Sequence, residues 1–198
     1  LRQGDELRYV LLTKGVEDIV IGTRKGLSIR FSETDARPMG RGASGVRGIM
    51  LNKGDEVVGA GVADDEKALL VVCENGYGKR TLLKYYRKQK RGGKGLLAIK
   101  TSERNGLVVG LAVVDVKEEL LIISKKGIII RQPINNISAT IGRGTQGVRL
   151  MRMDEGDKIV SFEVFLQAES NGFEPPAETN GSEPPAQDAT DANDETDA

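Results

Sequence analysis

Gly76-Tyr77-Gly78-Lys79-Arg80 is the middle member of three related pentapeptides. Gly26-Leu27-Ser28-Ile29-Arg30 precedes it by 50 residues and Gly127-Ile128-Ile129-Ile130-Arg131 follows it by 51. A second marker keeps nearly the same period: Arg41-Gly42-x-x-Gly45-Val46 returns as Arg91-Gly92-x-x-Gly95-Leu96 and as Arg143-Gly144-x-x-Gly147-Val148, at spacings of 50 and 52. A third, Val57-Val58-Gly59, returns as Val108-Val109-Gly110 and Ile159-Val160-Ser161, 51 residues apart each time. Three markers on one period define a repeat architecture.

Between the markers lie short runs of Val, Ile and Leu, such as Asp18 to Ile21, Glu56 to Val62, Leu107 to Val114 and Leu120 to Ile123, with Gly, Asn or Asp about every ten residues. No amphipathic helix stands out. A period near 50 with about four strands per unit is the size of a propeller blade, a sheet that buries its faces only by stacking on its neighbours. The expected fold is therefore all-β, a β-propeller or β-pinwheel of about three four-stranded blades in an open arc. A half repeat at 1–25 leads into repeats at about 26–75, 76–126 and 127–166. Propellers close with four to eight blades, so the chain is expected to be the last part of a longer one.

The formal charge of the 198 residues is zero, from 29 Lys and Arg against 29 Asp and Glu. The two signs are unevenly placed. Residues 167–198 hold nine of the acids and no base, which leaves 20 acids against 29 bases in 1–166, a body near +9 beside a tail of −9. The tail also holds four of the six prolines, in Glu174-Pro175-Pro176-Ala177 and Glu183-Pro184-Pro185-Ala186, and is expected to be disordered. With no His and one Cys, the chain has no means to build a Ser-His-Asp or Cys-His site, a His-ligated metal site or a disulfide framework. Cys73, in a run of Leu and Val, reads as a small buried hydrophobe. No apolar run reaches the ~20 residues of a membrane helix, so a soluble, cytoplasmic protein is expected.

Gly40-Arg41-Gly42-Ala43-Ser44-Gly45 and Gly142-Arg143-Gly144-Thr145-Gln146-Gly147 match the dinucleotide fingerprint in letters, but each runs into a strand pattern where that fingerprint needs a helix. The more informative window is 79–100. It carries nine bases, no acid and the pair Tyr85-Tyr86, read as strand residues. Its bases cluster around Gly92, Gly93 and Gly95, where a backbone without side chains lets a phosphate approach. Equivalent loops in the other repeats are also basic, so a positive element is expected once per blade along the rim, suited to a bent duplex held by its phosphates. The candidate DNA-binding residues are Arg41, Arg47, Lys88, Lys90, Arg91, Lys94, Arg143 and Arg149. A protein-binding scaffold that recruits an acidic partner is the alternative of another class.

Gln89-Lys90-Arg91-Gly92-Gly93-Lys94-Gly95 resembles the seven-residue box of the C-terminal domain of the bacterial DNA gyrase A protein, differing at Lys90, where Arg is usual. Gly45 to Ile49, Asn75 to Thr81 and Glu103 to Gly110 resemble later blades of the same domain, so the likeness covers 1–166. It implies a six-bladed pinwheel that wraps DNA so that ATP-driven strand passage yields negative supercoils. In the family the principal box lies in the first blade, so Gln89 to Gly95 is read as a box-like copy in a late blade, with the principal box upstream of Leu1. The cleaving tyrosine, the Mg-binding carboxylates and the ATP site of the holoenzyme lie outside the matched region. No cofactor is expected in this chain, and no catalytic or metal site. Partners implied are duplex DNA and, through regions beyond the matched one, the gyrase B protein and a second copy of gyrase A in an A2B2 heterotetramer, in a nucleoid-associated setting. The A-type chain of topoisomerase IV, which shares the blades but usually lacks an intact box, is the alternative within the same class.

Overall fold

The computed structural model of the chain describes residues 4–166. The acidic segment 167–198 lies outside the described residues, and so does the expectation of its disorder. The rest is all-β, with strands β1 (Asp18–Thr23), β2 (Leu27–Ser32), β3 (Val57–Ala63), β4 (Ala68–Cys73), β5 (Tyr77–Leu82), β6 (Leu96–Leu97), β7 (Val108–Val114), β8 (Glu118–Ser124), β9 (Ile129–Pro133), β10 (Val148–Arg149) and β11 (Ile159–Leu166).

Each pentapeptide marker is the end of a hairpin turn and the start of its second strand. β1-β2, β4-β5 and β8-β9 are antiparallel hairpins whose three- or four-residue loops carry Gly26, Gly76 and Gly127, at φ of 86°, 84° and 86°. That left-handed conformation closes a short hairpin loop, and glycine adopts it without a Cβ penalty. A short 3-10 turn follows each second strand, at Glu33–Asp35, Leu83–Tyr85 and Ile134–Asn136. Tyr85 is thus in a turn rather than a strand, and Tyr86 just after it is buried in the core.

The strand orders are β3-β1-β2-β6, β10-β5-β4-β7 and β11-β8-β9. A blade is therefore not cut from one continuous stretch of about 50 residues. The first sheet takes its outer strand β6 from the following repeat, pairing Leu27 with Leu97 and Ser28 with Leu96. The second takes β10 in the same way, pairing Tyr77 with Arg149 and Gly78 with Val148. Among the described residues the third sheet has three strands. Leu7 to Thr13, at the repeat position of β3 and β7, pairs with no strand among them, and Leu7, Val10 and Leu12 are exposed.

The sheets stack face to face. Val20 of the first meets Leu69, Val71, Cys73, Val108 and Leu111 of the second. On the other face of the second, Leu70, Val72 and Val114 pack on Leu120, Ile122 and Ile159 of the third. The stack closes up at its inner edge because β3 and β7 carry glycines where they meet the larger side chains of β7 and β11. A Cβ at Gly59 would lie 2.7 Å from Leu111 O, and one at Gly110 would lie 2.9 Å from Phe162 Cε1. Close inner edges and fuller outer ones fan the sheets and set the hairpin-borrowing loops along the outside.

Candidate nucleic-acid interface

The three basic loops follow from the way the outer strands are borrowed. After each 3-10 turn the chain leaves its own sheet, crosses to the preceding one, and needs glycine where it presses on that backbone. A Cβ at Gly95 would lie 2.5 Å from Ser28 O, and one at Gly147 would lie 2.4 Å from Gly78 O. Ala98 N donates to Gly26 O at 2.8 Å, and Leu150 N to Gly76 O at 2.8 Å, completing the same junction in both sheets.

Neighbouring loops are joined to one another by a repeated bond. Met50 N donates to Gly93 O at 2.8 Å, and the equivalent Lys100 N donates to Thr145 O at 3.0 Å. Gly92 N adds a bond to Gly48 O at 2.7 Å. Fully buried Asn105 uses Nδ2 on both Lys100 O and Gln146 O, each at 3.0 Å. Loops 41–48, 89–97 and 142–147 thus form one hydrogen-bonded ribbon along the outer edge of the stack.

The candidate residues occupy this ribbon in different ways. Arg41, Arg47, Lys90 and Lys94 are exposed, and their side chains make no ion pair among the described residues. Lys88 pairs with the buried Asp18 at 2.7 Å, in a group that includes Arg30 and Asp65. Arg91 turns inward. Its Nε donates to Asp35 O at 3.0 Å and its Nη1 to Arg47 O at 2.5 Å, so it braces the box-like loop against the loop before it. Gln89 also holds the loop, its N donating to Arg30 O at 2.8 Å. Arg143 lends its carbonyl oxygen to Lys79 Nζ, and Arg149 donates to Tyr77 Oη at 3.3 Å.

The sequence model of the DNA gyrase C-terminal domain, a β-propeller, matches residues 17–64, 68–115 and 118–165, which are the three hairpins with their inner strands. The chain belongs to this family. The DNA gyrase A protein of Staphylococcus epidermidis is 50% identical over 157 residues, which is 78% of this chain and 18% of that protein. That of Haloquadratum walsbyi is 47% identical over 161 residues, 80% of this chain and 19% of that one. The chain thus spans about a fifth of the length of these relatives. A solved gyrase A C-terminal domain superposes with a TM-score of 0.69 at 30% identity, over 76% of this chain and 51% of that one. The C-terminal domain of topoisomerase IV gives 0.78 at 21% identity, over 84% and 52%, a likeness of fold alone.

Within this gyrase-family frame, two of the nine bases in the 79–100 window are not rim charges at all. Lys79 and Arg80 are buried. Lys79 reaches under the third loop, its Nζ donating to Gly142 O at 2.8 Å, to Arg143 O and to Thr145 Oγ1 at 3.3 Å. Burial first, and then the charge of Arg143, lowers its pKa to about 8, with Cys73 acting in the opposite sense. Arg30 and Arg131 meet Asp18 and Glu119, whereas for Arg80, at the same repeat position, the place of those acids is taken by Ala68, and its buried Nε has no hydrogen-bond partner among the described residues. Two rim residues were missed by charge counting, Tyr77 and Arg104. The signal for Tyr77 lies in register, since the cross-strand pair Leu27 and Leu97 of the first sheet becomes Tyr77 and Arg149 in the second.

Proposed function

We propose that the chain is a late part of the C-terminal domain of a gyrase A protein and that its outer ribbon binds duplex DNA through phosphates. The observation that carries this reading is the hydrogen-bonded succession of three loops along the edge of the stack, each bearing basic side chains with no ion pair among the described residues. Phosphates recur along a duplex at regular intervals, and a ribbon with a basic loop per blade meets them without reading bases. Basic loops spaced along one rim suit a bent duplex, the geometry that wrapping needs. On this reading the chain carries no chemistry of its own. The DNA-cleaving tyrosine, Mg and ATP chemistry belongs to other parts of the holoenzyme, with the gyrase B protein and a second copy of gyrase A as partners and the nucleoid as the setting. The relatives near 50% identity carry the gyrase name, which favours gyrase over topoisomerase IV as the parent enzyme.

A titration of the protein with mixed-sequence duplex tests the proposal. If about six phosphates are neutralised, affinity falls roughly a thousandfold from ~50 to ~200 mM salt. A flat salt dependence, or no binding to duplex, refutes it and leaves the protein-binding scaffold. The two box residues should separate: Lys94→Gln reduces the salt slope by about 0.9 with unchanged melting. Arg91→Gln lowers stability by about 1–2 kcal/mol because its contacts are to carbonyl oxygens within the fold.

A further inference from the structure

The outer edge of the second sheet differs from that of the first by chemistry rather than by shape. Leu27 opposite Leu97 covers the junction in the first sheet with two aliphatic side chains. At the equivalent position of the second sheet stand Tyr77 and Arg149, and a third residue joins them. The guanidinium carbon of Arg104 lies 4.8 Å from the centre of the Tyr77 ring and that of Arg149 lies 5.8 Å from it. Two cations thus share one aromatic ring, and Arg149 Nη2 also donates to the phenol oxygen at 3.3 Å.

Among the described residues no carboxylate pairs with these two charges, and Arg104 and Arg149 are both exposed. The ring's electron-rich face attracts each guanidinium, while the two like charges repel. An anion placed between them removes that repulsion. The Arg104 backbone is set in advance. Asn75 Nδ2 donates to Glu103 O at 2.9 Å, and buried Asn105 Oδ1 accepts from Ser102 N at 2.7 Å and Ser102 Oγ at 3.0 Å. Asn105 also ties this loop to Gln146 O, just before β10 and Arg149. The fold therefore fixes both arginines beside one ring. The guanidinium of Arg104, and next that of Arg149, hold the Tyr77 phenol below its ordinary pKa.

We propose that Arg104, Tyr77 and Arg149 form a binding site for a single phosphodiester group of duplex DNA, with the two guanidinium groups on its charged oxygens and the phenol as a third donor. The proposal rests on the reading of the outer ribbon as a DNA-binding surface and names one place on it. Planar guanidinium groups suit phosphate oxygens, and a phenol hydroxyl supplies a neutral donor beside them. The site belongs to the second sheet alone, because the equivalents of Tyr77 are Leu27 and Ile128.

The test uses the intact protein, its Arg104→Gln, Arg149→Gln and Tyr77→Phe variants, and a mixed-sequence duplex. Each Arg variant is expected to bind more weakly, and the Arg104→Gln/Arg149→Gln double variant to lower the salt slope by about 0.9, the value for the one phosphate the two arginines share. Ultraviolet titration of wild type minus Tyr77→Phe isolates this phenol. Its pKa is expected to lie below about 10 in the free protein and to rise when duplex binds, as the phosphate cancels the arginine charges. If Lys94→Gln lowers the slope and the Arg104→Gln/Arg149→Gln double variant does not, DNA binds the ribbon but not here, and this proposal fails while the broader reading stands. A lowered slope with an unmoved phenol pKa also overturns it, because Arg104 then meets phosphate away from the ring. Wild-type protein that binds no duplex overturns both.

Discussion

Lys79 stands where the neighbouring repeats carry Ile29 and Ile130, and the substitution trades packing for three hydrogen bonds to the loop that bears Arg143. The exchange has a pH signature. The folded protein releases this proton near pH 8, whereas an unfolded lysine holds it to about 10.4. Between those values the unfolded state binds more protons, so stability rises with pH across the window and is insensitive to this group below it. Lys79→Met is expected to abolish that contribution, so that the stability difference moves in favour of wild type from pH 8 upward. Arg143 and Cys73, the charged and titratable groups felt by Lys79, are retained in both proteins and do not cancel the effect. Urea denaturation at several pH values measures it, and parallel curves for the two proteins would refute it.

At the scale of the element, the borrowed strand explains why equal glycines are unequally tolerant. Gly76 and Gly127 share the same backbone conformation, but a Cβ at Gly76 would lie 2.3 Å from Met151 O, whereas one at Gly127 has nothing within 4 Å. Gly127→Ala is expected to cost about 1 kcal/mol, the strain of a left-handed alanine. Gly76→Ala adds the displacement of β10 and should cost at least twice as much by chemical denaturation. Equal losses would mean that β10 is held by contacts other than this junction. The same element marks what the sequence could and could not disclose. The hairpins were legible because runs of five to seven residues around a glycine turn repeat three times. Leu96–Leu97 and Val148–Arg149 are two residues long, too short for a period of two to register, and their partners lie a whole repeat upstream. Their place in the sheets was therefore hidden. The basic loops were legible as charge, but charge does not report direction. Arg91 faces backbone carbonyls, Lys79 is buried, and the Tyr77 site needs the cross-strand register before its three members come together.

At the scale of the molecule, the zero net charge separates into the +9 of residues 1–166 and the −9 of residues 167–198. If the anionic segment competes with DNA for the cationic body, attachment to the same chain gives it a high effective concentration, and salt would weaken both associations. Removing 167–198 is expected to raise duplex affinity at low salt, with the gain shrinking as salt increases. Affinity unchanged at low salt would leave the segment without a part in DNA access.

The borrowing of β6 and β10 bears also on how such an array changes in length over generations. A duplication or deletion of one 50-residue unit that begins at a hairpin moves that hairpin together with the edge strand of the sheet before it. The inherited module and the folded blade are therefore different segments of the chain. Copies gained or lost within the array keep every interior junction matched, because each new unit brings the strand its predecessor lacks. The mismatch collects at the two ends, and it is there that selection must provide a cover.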